Sequence, residues 1–194
     1  MSTLEIAAVG VSFLAIWLTT RRNMLCWPLN LVACVLYFKV FLDVRLYADM
    51  ALQAVFGIGI LYGWIVWARG RHETGEVRVM PLARSQLFTG IAAGAVGSFA
   101  IGWFTSHHTD AALPWIDATL SSFSLVAQYW TARRHRENWL LWIVVDVAYV
   151  GMFVFKGLVL TAGLYAVMIG LAVMGYRDWK QVRRPGPDGV ATAG

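Results

Sequence analysis

The stretch Asn138–Tyr149, NWLLWIVVDVAY, lies inside a long apolar run and yet carries a carboxylate. Trp139, Trp142, Asp146 and Tyr149 recur at helical spacing, so a helix here presents three aromatic rings and one acid on a single face. A carboxylate at the centre of a bilayer costs roughly 2.5–3.5 kcal/mol on insertion scales and rarely sits there without a partner. Aromatic faces attract cations by roughly 0.5–2 kcal/mol each. The face reads as half of a cage for a flat, positively charged solute. The alternative is structural: the rings pack a bundle and Asp146 bonds a neighbouring helix.

Composition sets the class of protein. Of 194 residues, 59% are hydrophobic and 14% charged, with a mean hydropathy of +0.60. Soluble domains carry about 25% charged residues, so the pattern points to an integral membrane protein. No basic stretch precedes the first apolar run, and Glu5 stands where one would be, which argues against a cleavable signal peptide. Cys26 and Cys34 share one apolar segment and have no redox or metal spacing, so they read as small buried hydrophobes.

Apolar runs cover 4–20, 25–42, 47–67, 86–105, 114–131, 138–155 and 158–176. A span needs about 20 residues, so seven transmembrane helices are expected. Arg21, Arg22, Arg69, Arg71, Arg78, Arg84, Arg133, Arg134, Arg136, Arg177, Lys180, Arg183 and Arg184 fall on one side of that topology. Only Lys39, Arg45 and Lys156 fall on the other. This asymmetry places the C-terminus in the cytoplasm and the N-terminus outside, and an odd number of spans satisfies it. It also accounts for the net charge of +5 without a nucleic-acid partner. The Pro/Gly-rich end, 181–194, reads as a disordered cytoplasmic tail.

Shifting the chain by 112 residues aligns its ends without a gap. Thr19, Arg21, Arg22, Trp27, Tyr37, Phe41, Leu46, Leu52, Gly63 and Trp67 meet Thr131, Arg133, Arg134, Trp139, Tyr149, Phe153, Leu158, Leu164, Gly175 and Trp179, each pair identical. The expected organisation is a first three-helix repeat in 1–67 and a cytoplasmic loop in 68–85. A connector helix and outer loop follow in 86–113, and a second repeat in 114–180. One connecting span makes the repeats parallel, an arrangement that places substrate at the repeat interface in known transporters. The connector carries Gly90-x-x-x-Gly94, suited to close helix packing.

The repeat pairs Trp27, Asn30, Cys34 and Tyr37 with Trp139, Trp142, Asp146 and Tyr149. Two aromatic stripes are thus expected to face a shared axis, with Asn30 and Asp146 breaking the symmetry. Asn30 offers donors and an acceptor to a solute, or an interhelical bond. Gln53 and, at its repeat position, Tyr165 are further candidates, with Thr161 nearby. Asp117, Ser121, Ser124 and Gln128 form a polar stripe on the fifth helix, which must face a cavity or another helix. Asp49 and Asp117 lie toward the outer mouth, where they could guide a cation, pair locally or cap a helix. Trp64 and Trp67 are placed near the cytoplasmic boundary, where an interfacial belt explains Trp67 most simply. His107, His108 and Asp110 are expected in a solvated outer loop; no metal set is evident. No catalytic group, P-loop or cofactor motif is present, and Lys156 precedes the last helix, against a retinal-type receptor.

Leu46-Tyr47-Ala48, Gln53, Tyr62-Gly63-Trp64-x-x-Trp67, Asn138-Trp139-Leu-Leu-Trp142 and Gly175-x-x-x-Trp179 follow in an order and spacing that resemble the PnuC family of bacterial vitamin transporters. The resemblance covers about 4–180. It implies an inner-membrane, SWEET-like three-plus-one-plus-three fold and a homotrimer. It further implies facilitated diffusion of a vitamin, with trapping by a cytoplasmic kinase. The best-known family substrate is nicotinamide riboside; thiamine is the alternative, being also a flat aromatic cation, and some members have Asn at the position of Asp146. A proton-coupled symporter using Asp146, Asp117 or Glu5 is a further reading.

Overall fold

The computed structural model describes residues 3–43, 47–74, 77–108, 113–155 and 159–180, and every extended element within them is a helix. In chain order these are α1 (Thr3–Thr20), α2 (Cys26–Asp43), α3 (Tyr47–Thr74), α4 (Arg84–His108), α5 (Pro114–Ala132), α6 (Asn138–Phe155) and α7 (Val159–Lys180). The seven apolar runs thus become seven helices. Three stretches, Leu52–Glu73, Arg84–His108 and Asn138–Phe155, are long and apolar enough by themselves to cross a membrane.

Helix ends follow local chemistry. Pro114 opens α5, where its missing N–H removes a donor that would be unpaired anyway. Past the end of α1, Arg22 adopts φ 54°, its N–H donates to the Thr19 carbonyl (3.0 Å), and Asn23 N–H donates to Leu18 (3.0 Å). Past α5, Arg134 adopts φ 65°, with Arg134 N–H on Thr131 (3.0 Å) and His135 N–H on Trp130 (2.9 Å). Each is a Schellman-type stop with arginine where glycine is usual. The two turns match bond for bond at the 112-residue offset.

Two expected boundaries move. α3 runs to Thr74, so the segment expected as loop from residue 68 begins as helix. Loss of hydrophobicity ends a span but not the i→i−4 ladder, and Ala68, Arg69, Arg71 and Glu73 sustain it. His107 and His108 are the last turn of α4 rather than loop: His107 Nδ1 bonds the Trp103 carbonyl (2.7 Å), and His108 stacks on Phe104 at 4.7 Å. Asp110 lies outside the described residues.

Packing closes a ring. α1 meets α2, α2 meets α3, α3 meets α5, α5 meets α6, α6 meets α7, and α7 returns to α1. Among the described residues α4 packs on α5 alone. It does so through its glycines: a Cβ at Gly90 would run into Trp130, at Gly94 into Phe123 and at Gly102 into Trp115. The close helix approach expected of Gly90-x-x-x-Gly94 therefore takes the form of sockets for α5 aromatics.

Candidate functional site

α6 buries Asp146, which is 5% exposed. No ion pair or hydrogen bond to it is formed by the described residues. One turn on, Tyr149 lies close to Ser121 and Ser124 of α5. Its ring sits 4.8 Å from Tyr165 of α7 and 5.8 Å from Phe153, which in turn lies 5.2 Å from Tyr165. Tyr37 of α2 and Asp117 of α5 are near enough to Tyr165 to act on it electrostatically. A carboxylate, two tyrosines and two serines thus gather among α5, α6 and α7, with Tyr37 of α2 within electrostatic range of Tyr165. Phe153 carries no polar signal in the sequence, and only its identity with Phe41 across the offset marks it.

Trp27 and Trp139 are placed differently from the expected open slot. They are 1% and 3% exposed, and their rings are engaged by other indoles. Trp27 packs edge-to-face with Trp67 (5.1 Å, 83°), Trp139 with Trp179 (5.5 Å, 89°), and Trp67 meets Trp179 at 5.9 Å. A Cβ at Gly63 would overlap the Trp27 ring, and one at Gly175 would overlap Trp139. Four indoles on four helices therefore form one core, and Trp27 and Trp139 do not face each other across a gap. Trp67, expected at an interfacial belt, is fully buried in this core. The physical reason is that α3 continues past Trp67, whose indole packs between Trp27 and Trp179 and places its N–H on the Thr131 carbonyl, so that it gains more by packing than by facing lipid headgroups.

The core carries reciprocal bonds. Trp67 Nε1–H donates to the Thr131 carbonyl at the end of α5 (3.2 Å), and Trp179 Nε1–H donates to the Thr19 carbonyl at the end of α1 (3.3 Å). By contrast, Trp27 Nε1 and Trp139 Nε1 are buried with no hydrogen-bond partner among the described residues. An unsatisfied buried donor costs about 1–3 kcal/mol. These two indole donors fall at equivalent repeat positions; Arg134 Nε and Arg136 Nε are likewise buried without a partner among the described residues.

The remaining candidates are less tightly engaged. Trp142 is half-buried between the indole core and Asp146 in sequence, with Nε1–H on Thr131 Oγ1 (3.4 Å). Asn30 Nδ2 donates to the Cys26 carbonyl within its own helix (2.9 Å), not across helices. Gln128 is half-buried and approaches Gly59 of α3; Gln53 is half-buried. Asp117 and Trp64 are exposed. The side chains of Asp49, Thr161 and Glu5 lie outside the described residues. Among the described residues, no three His, Cys, Asp or Glu side chains gather as a metal set.

Largely apolar helices closed into a ring, with an acid and hydroxyl-bearing side chains buried among them, have the build of a multi-pass membrane protein. The chain belongs to the nicotinamide mononucleotide transporter family, whose pattern matches residues 2–181. It is 31% identical over 162 residues to the riboflavin/roseoflavin transporter RibM of Streptomyces davaonensis, covering 82% of this chain and 76% of that one. It is 22% identical over 204 residues to the nicotinamide riboside transporter PnuC of Escherichia coli, covering 92% and 85%. The crystal structure of the vitamin B3 transporter PnuC superposes with a TM-score of 0.71 at 28% identity, covering 91% of this chain and 80% of that one. The family is one of transporters, not enzymes.

Proposed function

We propose that this protein carries a flat, cationic, vitamin-derived aromatic solute, nicotinamide riboside first, into the cytoplasm by facilitated diffusion. The observation that carries the reading is Asp146: a buried carboxylate to which the described residues supply no counter-charge. A transported cation would supply it. Tyr149 and Tyr165 offer aromatic surface near that carboxylate, Tyr37 is assigned to the same solute, and Trp142 stands one turn away on the same helix face. Asn30, Gln53 and Gln128 are assigned to the polar rim of the solute, and Asp49, Asp117 and Trp64 to its path. Trp27 and Trp139 close the site from the basic end.

The architecture in this reading is two parallel three-helix repeats, α1–α3 and α5–α7, joined by α4 and rocking about the solute. The duplicated turns and the duplicated indole bonds support it. The basic end is cytoplasmic by the positive-inside asymmetry. We assign a homotrimer in the inner membrane and trapping of the solute by a cytoplasmic kinase, both from the family resemblance. Thiamine satisfies the same charge and shape. Similarity to RibM favours riboflavin as a second reading, but an uncharged flavin leaves Asp146 to be neutralised by a proton. That case leads toward proton coupling.

Tryptophan-fluorescence titration of the purified protein against nicotinamide riboside, thiamine, riboflavin and an uncharged nucleoside tests this. The expected outcome is saturable quenching by an aromatic cation, weakened at least about tenfold in Asp146→Asn, equivalent to about 1.4 kcal/mol. Equal binding of the cation by Asp146→Asn would remove the charge argument, and binding of riboflavin alone would install the second reading.

A further inference from the structure

The indole core ties the halves of the ring together in a reciprocal way. Trp67 of α3 caps the end of α5 through Thr131, and Trp179 of α7 caps the end of α1 through Thr19 and Thr20 (3.3 and 3.1 Å). Arg21 adds an ion pair to Asp178 at 3.9 Å, and Arg133 Nη1 donates to Tyr62 Oη at 3.4 Å. One half cannot tilt away from the other at this end without parting these contacts.

The segment that joins α3 to α4 crosses the same end. Val77 is buried in the indole core, and Val79 packs against it. Arg22 Nη1–H donates to the Val77 carbonyl (3.4 Å), fastening the segment to the α1–α2 turn. Met80 N–H donates to the Arg134 carbonyl (2.9 Å), His135 Nδ1 meets the Met80 carbonyl (3.3 Å), and Leu82 N–H donates to Glu137 Oε2 (3.2 Å). These three fasten it to the α5–α6 turn. The segment is a strap anchored on both halves.

A core this well packed would be permanent if every polar atom were paired. Instead, Trp27 Nε1 and Trp139 Nε1 are buried without partners among the described residues, at equivalent positions. Exposing this end to water would pair both donors and so offset part of the packing lost. Two arrangements close in free energy are what a gate requires.

We propose that Trp27, Trp67, Trp139 and Trp179 form the closed gate of the solute path at the basic end, bolted by the strap Val77–Leu82. The proposal rests on the transport reading above but not on which vitamin is carried. Gly63 and Gly175 are its positioning residues, because each leaves the notch in which one indole seats. In the open form the strap bonds to one turn are released and the indole N–H groups face water along the exit.

Cys26 reports on this gate. It is 1% exposed and belongs to the indole core. The full chain with Cys34→Ser, reconstituted in oriented proteoliposomes, is treated with a membrane-impermeant maleimide added at the basic end. The starting protein should label slowly. Trp67→Phe combined with Trp179→Phe should label at least about tenfold faster, the factor that accompanies a shift of about 1.4 kcal/mol in an opening equilibrium. Glu137→Ala, which releases Leu82 without touching the indoles, should also accelerate it, and reagent added at the opposite end should not. Ala118→Cys in a cysteine-free chain serves as a control, since it is buried in α5 outside the indole core. Unchanged Cys26 labelling in folded variants would overturn the proposal, as would an equal acceleration at residue 118. Failure of every vitamin in the fluorescence titration would sink the substrate reading while leaving these arms intact.

Discussion

Gly63 and Gly175 set the tolerance at residue scale. Each lies where an indole covers its Cα, so a methyl group there must displace Trp27 or Trp139. Overpacking of this kind costs about 1–3 kcal/mol. Gly63→Ala and Gly175→Ala should therefore each lower the thermal midpoint in detergent, whereas Gly163→Ala, with open space around it, should not. The offset made both glycines visible as landmarks in the sequence, but not as sockets. Asp146 was legible for a simpler reason, since an acid in an apolar run has few places to go. The fate of Trp27 and Trp139 was not legible. A helical face can be read from spacing, yet whether a ring on it meets solute or another ring depends on neighbours far along the chain.

At the scale of elements, the two turns with left-handed arginines carry the next tests. A left-handed conformation costs a residue with a Cβ roughly 1–2 kcal/mol, more so when β-branched. Arg22→Val should thus unfold at lower temperature than Arg22→Gly, by about that free energy, although both lose the bond to Val77. Equal midpoints would mean that the turn is not strained. In the second turn, burial holds the His135 imidazole below its ordinary 6.5; nearby Arg133 acts the same way, while the Met80 carbonyl and Glu137 oppose it. The folded protein then takes up this proton less readily than the unfolded chain. The stability it confers is present above pH 6.5 and is lost as pH falls below that value. His135→Gln should flatten the fall of thermal midpoint between about pH 7 and about pH 5. The overrun of α3 to Thr74 belongs here too, because the boundary of an apolar run marks where lipid ends, not where a helix must.

For the whole molecule, the ring predicts that its two halves are energetically alike. Trp67→Ala and Trp179→Ala remove the same ring from the same kind of site, and each should cost about 3–5 kcal/mol in unfolding free energy. A large difference between them would argue against a two-fold related pair of repeats. Topology is a separate test: a fluorescent protein fused after Lys180 should fold and fluoresce, while alkaline phosphatase at the same point should be inactive. The reverse pattern would invert the assigned orientation.

Sequence by itself determined the number of helices, the duplicated landmarks and the buried acid. Each of these follows from hydrophobic periodicity or from residue identity at a fixed offset, which are local or one-dimensional properties. Tertiary structure decided which aromatics pair, that α4 stands outside the ring on its glycine face, and that the strap Val77–Leu82 crosses the indole core. Those outcomes depend on contacts between residues up to 160 positions apart, such as Trp179 with Thr19. Packing of that kind is fixed by shape in three dimensions, and no periodicity along the chain encodes it.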